Sequence, residues 1–471
     1  MNASTITVHW HNDSQPIYAV DFQPSPDSVS PRLVTGGGDN NIRVWKVHSD
    51  QNAEGPPSTS IEYLSTMRKH TQAVNVVRFD SSGQFLASAG DDGTLIIWRL
   101  ARGIIKDFES EEDDDDIKES WEVVLQLRSS TSEINDIGWS PNSRYIVTGS
   151  MDNTIRIYQL ELDSQTQKLT GKLVESLKNH THYVQGVYWD PLNQFIATQS
   201  ADRSVIIYSI KEENSELKLK LHHRFIKHEN QFMYQSETLQ SFFRRLAFSP
   251  DGTFLITPAG MWNQTRNTSK GTIVNASFVY ARSSLSTTPI LKIAGLNKPA
   301  VAIAFNPKKY ILNSSEQAIT TLPYKMIFAI ATQDSVLVYG TDNFKPLGFV
   351  GNLHYSSITD LKWDLDGRRI IISSTDGFCS VILFDEGVFG TEYEGSLHNP
   401  QPIDTDTPSI AEDKTPEIGL SFDKMHVHDE TKEAENIEPS QDSKTQPKGA
   451  TIDQFYKPKE KKRITPTLLS Q

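Results

Sequence analysis

The 471-residue chain has one cysteine, Cys379, which excludes an intrachain disulfide and any zinc site built from several thiolates. So few thiols suit a reducing compartment. Cys379 opens the apolar run CSVILF, where it reads as a small buried hydrophobe rather than a reactive thiol. No apolar run reaches the roughly eighteen residues of a membrane-spanning helix, and MNASTITVHWHND has neither the charged start nor the apolar centre of a secretory signal. These absences predict a soluble intracellular protein without membrane contact. Three catalytic signatures are also missing: the phosphate loop GxxxxGK followed by Ser or Thr, the GxSxG elbow and the HExxH helix. GGGDNN is rich in glycine, but it opens a strand hairpin and so lacks the helix-backed amide nest that phosphate needs. We therefore expect no enzyme, no catalytic residue, no cofactor and no metal.

Acid is what the chain has in excess, and its placement matters more than the net charge of −13. DFESEEDDDD, residues 107–116, carries a local charge of −8, and residues 391–456 add fifteen acids against five lysines. From Lys457 to the end, five bases and Glu460 give +4, which leaves the rest of the chain near +1. A large nucleic-acid face is not indicated, and no direct, sequence-specific nucleic-acid binding is expected. The stretch Glu109 to Asp116 would attract a basic protein surface, with a solvated loop as the plain alternative. It lacks the spacing of a calcium loop.

A repeat sets the architecture. GGGDNNIRVW ends at Trp45, AGDDGTLIIW at Trp98, GSMDNTIRIY at Tyr158 and QSADRSVIIY at Tyr208, with Asp39, Asp92, Asp152 and Asp202 each six residues before the aromatic. Each unit reads as a tight turn entering a β-branched strand. His70, His180 and His354 stand nine residues before Phe79, Trp189 and Trp363, and 22 before Asp92, Asp202 and Asp376. This pattern resembles the WD-repeat family, in which such a His and the turn Asp share a buried hydrogen-bond network. Ser88 and Trp98 would complete it in the second unit. On that reading these residues pin turns and do no chemistry.

Three further units bring the count to seven, ending at Tyr280, Tyr339 and Phe384. The expected fold is all-β: a seven-bladed WD40 propeller over residues 1–390, a disordered acidic linker over 391–456 and a docking peptide over 457–471. The seventh unit shows three strands, so Thr5 to Trp10 is expected to supply the fourth and close the ring. Two units depart from the pattern. The fifth has Pro258 and Gly260 in place of a turn Asp, followed by the polar loop MWNQTRNTSKG. The sixth is interrupted by KKYILNSSEQAITTLPYK, and its Asp334 is only five residues from Tyr339.

The wording of the blades is more specific than the fold. KHTQAVNVVRF, HYVQGVYWDP, FSPDGTFLITPAG, FAIATQDSVLVY and SSTDGFCSVILF together resemble the WD-repeat middle subunits of chromatin assembly factor one, relatives of the HIR repressors. The likeness runs from Val8 to Gly390, and TPAG is its most particular piece. The resemblance implies a nuclear, non-catalytic subunit of a histone chaperone, with the large and small subunits of that factor as partners. Such a complex deposits newly made histones three and four on replicating DNA; contact of this chain with the histones would be indirect. The resemblance also implies docking of the anti-silencing-function chaperone through a short peptide outside the propeller.

KKRITPTLLS fits that peptide. An extended segment can add to a partner's sheet edge, with its alternate side chains in pockets and its cations on acidic residues. By position Arg463 is the ion-pairing residue, Ile464, Pro466 and Leu468 are the apolar anchors, and Thr465 lies between them. Lys459, Lys461, Lys462 and Arg463 also suit a nuclear-import signal. Upstream, Ile452, Phe455 and Tyr456 have the spacing of a sliding-clamp peptide, although Gly449 occupies the place of its usual glutamine. Two other functions compete with the chaperone subunit: a HIR-type corepressor, disfavoured because no second large domain follows the propeller, and a generic adaptor such as a ubiquitin-ligase substrate receptor.

Overall fold

The computed structural model describes residues 1–24, 32–50, 58–105, 117–213, 216–263, 272–312 and 318–395. These residues form seven four-stranded antiparallel sheets. In each of the first six, four strands follow one another in sequence; the first blade is Ile17–Phe22, Arg32–Gly37, Asn41–Asp50 and Ser58–Arg68. The innermost strands of successive blades touch all the way round, including the first against the seventh, so the ring is closed.

Burial explains the strand order. The second strands Phe85–Gly90, Tyr145–Ser150 and Phe195–Ser200 are buried at every position, whereas the outer strand Leu169–Leu177 is half-buried or exposed at every position after its first. Seven buried apolar clusters lie among the described residues, one between each pair of neighbouring blades. The cluster closing the ring joins Ile6, Trp10, Val20 and Trp45 to Ile371, Cys379 and Val381. Cys379 is fully buried there, and burial pushes its thiol well above the ordinary value.

A register shift recurs just before the repeat's aromatic residue in the third strand, at Trp45, Trp98, Tyr158, Tyr208 and Tyr339. Such bulges add right-handed twist, which turns a flat sheet into a blade.

The closing strand is Asn2–Ile6, which pairs antiparallel with Cys379–Leu383. It begins and ends several residues before the expected Thr5 to Trp10. Trp10 turns inward instead: it is fully buried edge-on to Trp45, 4.9 Å between ring centroids, and donates its indole N–H to the Ile6 carbonyl. The N-terminal ammonium of Met1 completes the join with a 3.0 Å bond to Asp385.

The two irregular blades also differ from expectation. In the fifth, the second strand does not turn at TPAG but bulges between Thr257 and Gly260 and continues to Asn263, so Met261 to Asn263 are strand rather than loop. In the sixth, Lys308 to Ile311 extend the strand Ala300–Ile311. That extension receives the chain after the last blade: the Ile311 N–H donates to Thr391 (2.9 Å), the Tyr393 N–H to Lys309 (2.8 Å), and Lys308 pairs with Glu392 at 2.8 Å.

Candidate functional site

The recurring polar unit is a relay under each turn. In the second blade Trp98 Nε1–H donates to Ser88 Oγ (2.8 Å), Ser88 lies 2.7 Å from His70 Nε2, and His70 Nδ1 lies 2.9 Å from Asp92. Ser88 thus links the indole to the imidazole, and His70 Nδ1 faces the carboxylate. Asp92 then caps the turn by accepting the N–H groups of Thr71 and Thr94. Trp45, Thr35, His11 and Asp39 repeat the relay in the first blade. In the fourth, His180 lies between Thr198 and Asp202, at 2.9 Å from each.

Elsewhere the relay is rebuilt from other residues. Asp152 of the third blade pairs with Arg156, and Tyr158 donates to Ser129. In the seventh, His354 meets Asp376 at 3.1 Å, but Ile372 stands where Ser88 and Thr198 do, leaving His354 Nε2 unpartnered. The fifth has no turn Asp; Tyr234 takes the place of the His, with its hydroxyl 3.0 Å from Thr257 and 2.8 Å from Tyr280. Asp334 of the sixth serves only its own turn, accepting from Thr332.

Burial alone would raise the carboxyls of Asp39 and Asp202. Hydrogen bonds from His11 and His180, with backbone N–H donors, outweigh it and hold both well below the usual range. Burial lowers His11, keeping it neutral. Because the folded aspartates are depressed, their stabilisation is complete above about pH 4 and is lost as pH falls through the folded values. Asp202→Asn should therefore cost about 2 kcal/mol at neutral pH and flatten the decline in stability below about pH 4. Urea titrations at several pH values read both; an unchanged acid limb would refute the assignment.

The second polar assembly fills the channel, where a cavity of about 270 Å³ is lined by Asp21, Arg78, Asp136, Arg245, Asp360 and Lys362 among others. Arg245 sits just before the short strand Ala247–Phe248 of the fifth blade. Its guanidinium crosses the ring to donate to Tyr18 (2.9 Å), Asn75 (2.8 Å) and Thr359 (2.7 Å), carbonyls of the first, second and seventh blades. It also lies 3.6 Å from Asp136 and 3.4 Å from Asp360. Arg78 pairs with Asp360 at 2.8 Å, and Lys362 with Asp21 at 3.3 Å. Burial raises Asp136, whose Oδ1 has no hydrogen-bond partner; Asp360, equally buried, is pulled down by Arg245 and Arg78. With its carboxylates committed to guanidinium and ammonium groups, this cluster braces the ring and presents no nucleophile–base pair.

The backbone beside Arg245 is as constrained as its side chain. Arg244 N–H donates to Gln185 (3.0 Å) and Arg245 N–H to Val301 (2.9 Å), so two residues bridge the inner strands of the fourth and sixth blades. A Cβ at Gly186 would lie 2.0 Å from the Arg244 carbonyl oxygen. Gly186→Ala should thus displace this bridge and lower the thermal midpoint by several degrees, roughly 4 °C or more. A melt within about 1 °C of the parent would refute it.

The structure brings together His70 with Asp92, His180 with Asp202 and His354 with Asp376, and places Asp39 and Asp152 in turns of the same kind. Sequence reasoning missed His11, which lies 28 rather than 22 residues before its aspartate, and it missed Tyr234 and the channel cations. The remaining candidates lie outside the described residues: the acidic run 107–116, the clamp-like Ile452, Phe455 and Tyr456, the basic Lys459, Lys461 and Lys462, and the docking residues Arg463, Ile464, Thr465, Pro466 and Leu468.

Seven closed blades, His–Asp locks in four of them and a braced channel define a WD-repeat propeller, a platform class. A family described as the CAF1B/HIR1 beta-propeller domain matches residues 1–389. The B subunit of chromatin assembly factor 1 from Saccharomyces cerevisiae is 39% identical over 89% of this chain and 94% of the relative. The Schizosaccharomyces pombe protein of the same name is 34% identical over 87% and 93%. Protein HIR1 of Kluyveromyces lactis is 28% identical, over 80% of this chain but 42% of its own length. The chain belongs to the family of chromatin assembly factor 1 B subunits.

Proposed function

We propose that this protein is the non-catalytic WD-repeat subunit of a nuclear histone chaperone that deposits newly made histones three and four on replicating DNA. It joins a large and a small partner subunit through the propeller and docks the anti-silencing-function chaperone through Arg463 to Leu468. The observation that carries the reading is the match, over about nine-tenths of both chains, to relatives named as B subunits of chromatin assembly factor 1. The HIR1 relative supports a corepressor reading less well, since the chain matches under half of its length.

Affinity purification of the tagged chain from nuclear extract, with identification of stoichiometric partners, tests the reading. A large charged subunit together with a second histone-binding WD protein is expected. A corepressor assembly, or a cullin adaptor, would replace it with one of the alternatives.

A further inference from the structure

Each blade has an outer strand with one side unpaired in its sheet, and these seven strands differ in charge. Ser58–Arg68, Trp121–Arg128, Leu169–Leu177, Glu216–Phe225 and Leu291–Leu296 each contain at least one Lys, Arg or Glu. Charged side chains on an edge discourage a further strand from adding to it. Pro346–Gly351 of the sixth blade and Asn2–Ile6 of the seventh contain none.

The two uncharged strands present different surfaces. Asn2–Ile6 exposes Asn2 to Thr5, which are mostly polar, whereas Pro346–Gly351 exposes Leu347 (50%) and Phe349 (53%). One side of the sixth blade's strand is closed: Val350 lies opposite Val336 and packs between the sixth and seventh blades, and a Cβ at Gly348 would lie 3.1 Å from Met1 Sδ. On the other side Phe349 lies opposite Leu337, which is buried between the fifth and sixth blades, and carries that apolar surface out into solvent. Pro346 and the register shift beside Tyr339 blunt the start of the strand. From Gly348 to Gly351 the ladder to Ser335 through Val338 is regular, and no charged side chain there repels an added strand. Lys345, exposed just before the strand, has no ion-pair partner among the described residues.

We propose that this edge takes an extended segment of a partner protein as a fifth strand of the sixth blade. The segment carries apolar side chains at alternate positions, which rest on Leu347 and Phe349, and an acidic residue at the end that meets Lys345. The unpaired backbone selects a strand, the uncharged exposed face selects apolar side chains, and Lys345 selects the acid. A second copy of this chain fits less well. Six residues a side fall short of the roughly 20–30 that a stable interface between folded bodies uses, and the strand has no acid to offer Lys345. The assignment rests on the reading above, that the propeller holds partner subunits, and gives one of them this edge.

Hydrogen–deuterium exchange of the full chain, alone and in the complex recovered with its stoichiometric partners, is the test. Between Leu347 and Gly351, the amides that face away from Ser335–Gly340 should exchange at least about tenfold more slowly in the complex. Zero-length carbodiimide cross-linking should join Lys345 to an acid of one identified partner. Leu347→Lys/Phe349→Lys should lower recovery of that partner at least about tenfold while the thermal midpoint holds. Leu173→Lys, at a 47% exposed position on the third blade's outer strand, should leave recovery unchanged. Unchanged exchange at this edge in a complex that contains the partners would overturn the edge assignment alone, and recovery of no stoichiometric partner would overturn it together with the proposed function. Protection that grows with the concentration of the chain by itself would overturn it in favour of a second copy. A protected edge in a corepressor or cullin assembly would overturn the proposed function and leave the edge assignment standing.

Discussion

Arg245→Ala should be among the most destabilising single substitutions in the propeller, lowering unfolding free energy by about 3–5 kcal/mol. The guanidinium is buried and satisfies carbonyls of three blades besides its own while lying against Asp136 and Asp360. Removing it leaves two buried carboxylates with one nearby guanidinium, that of Arg78, and takes away the bonds it donates to three carbonyls. Domains are stable by only about 5–15 kcal/mol, so the loss would be a large share of the whole. Arg245→Lys keeps the charge but not the planar fork, and should recover only part of the stability. Urea titration of the two variants is the measurement. A midpoint for Arg245→Ala equivalent to less than about 1 kcal/mol from the parent would show that the brace is redundant.

The second large effect concerns the C-terminal peptide. Ile464→Ala with Pro466→Ala should weaken binding to the anti-silencing-function chaperone by roughly 10²- to 10³-fold, as expected when two apolar anchors worth about 2 kcal/mol each are removed. An added strand binds through its backbone, and the pockets for alternate side chains supply selectivity; an alanine pair leaves the first and removes the second. Arg463→Glu should instead act through salt-dependent association, with its largest effect at low ionic strength. Titration of full-length variants with the purified chaperone decides between them. Binding of the alanine pair within about twofold of the parent would remove the docking assignment.

The blade repeat was legible because it is local. An aspartate six residues before an aromatic, and a histidine 22 before the aspartate, lie within one hairpin and its lead-in, so spacing alone exposes them. His11 escaped because it stands 28 residues before Asp39. Tyr234 escaped because its partner Thr257 belongs to a strand that bulges at TPAG where the other blades turn. The closing strand was placed a few residues late: alternation in NASTITVHW suits two registers, and only the burial of Trp10 against Trp45 selects one. Arg245 lies beyond any local reading, since its carbonyl partners stand 227, 170 and 114 residues away. The candidate docking peptide, Arg463 to Leu468, lies outside the described residues, so its reading rests on the short motif alone.

The pairing of Asn2–Ile6 with Cys379–Leu383 has a consequence for how the molecule is made. The first strand to leave the ribosome cannot find its partner until some 380 residues have followed, about 20–75 s at ordinary rates of elongation. Throughout that interval the strand Asn2–Ile6 lacks its partner and the first blade's apolar face, with Val20, Trp45 and Val47, lacks its cover. Translation speed and holding factors would then govern yield more strongly than the equilibrium stability of the finished wheel.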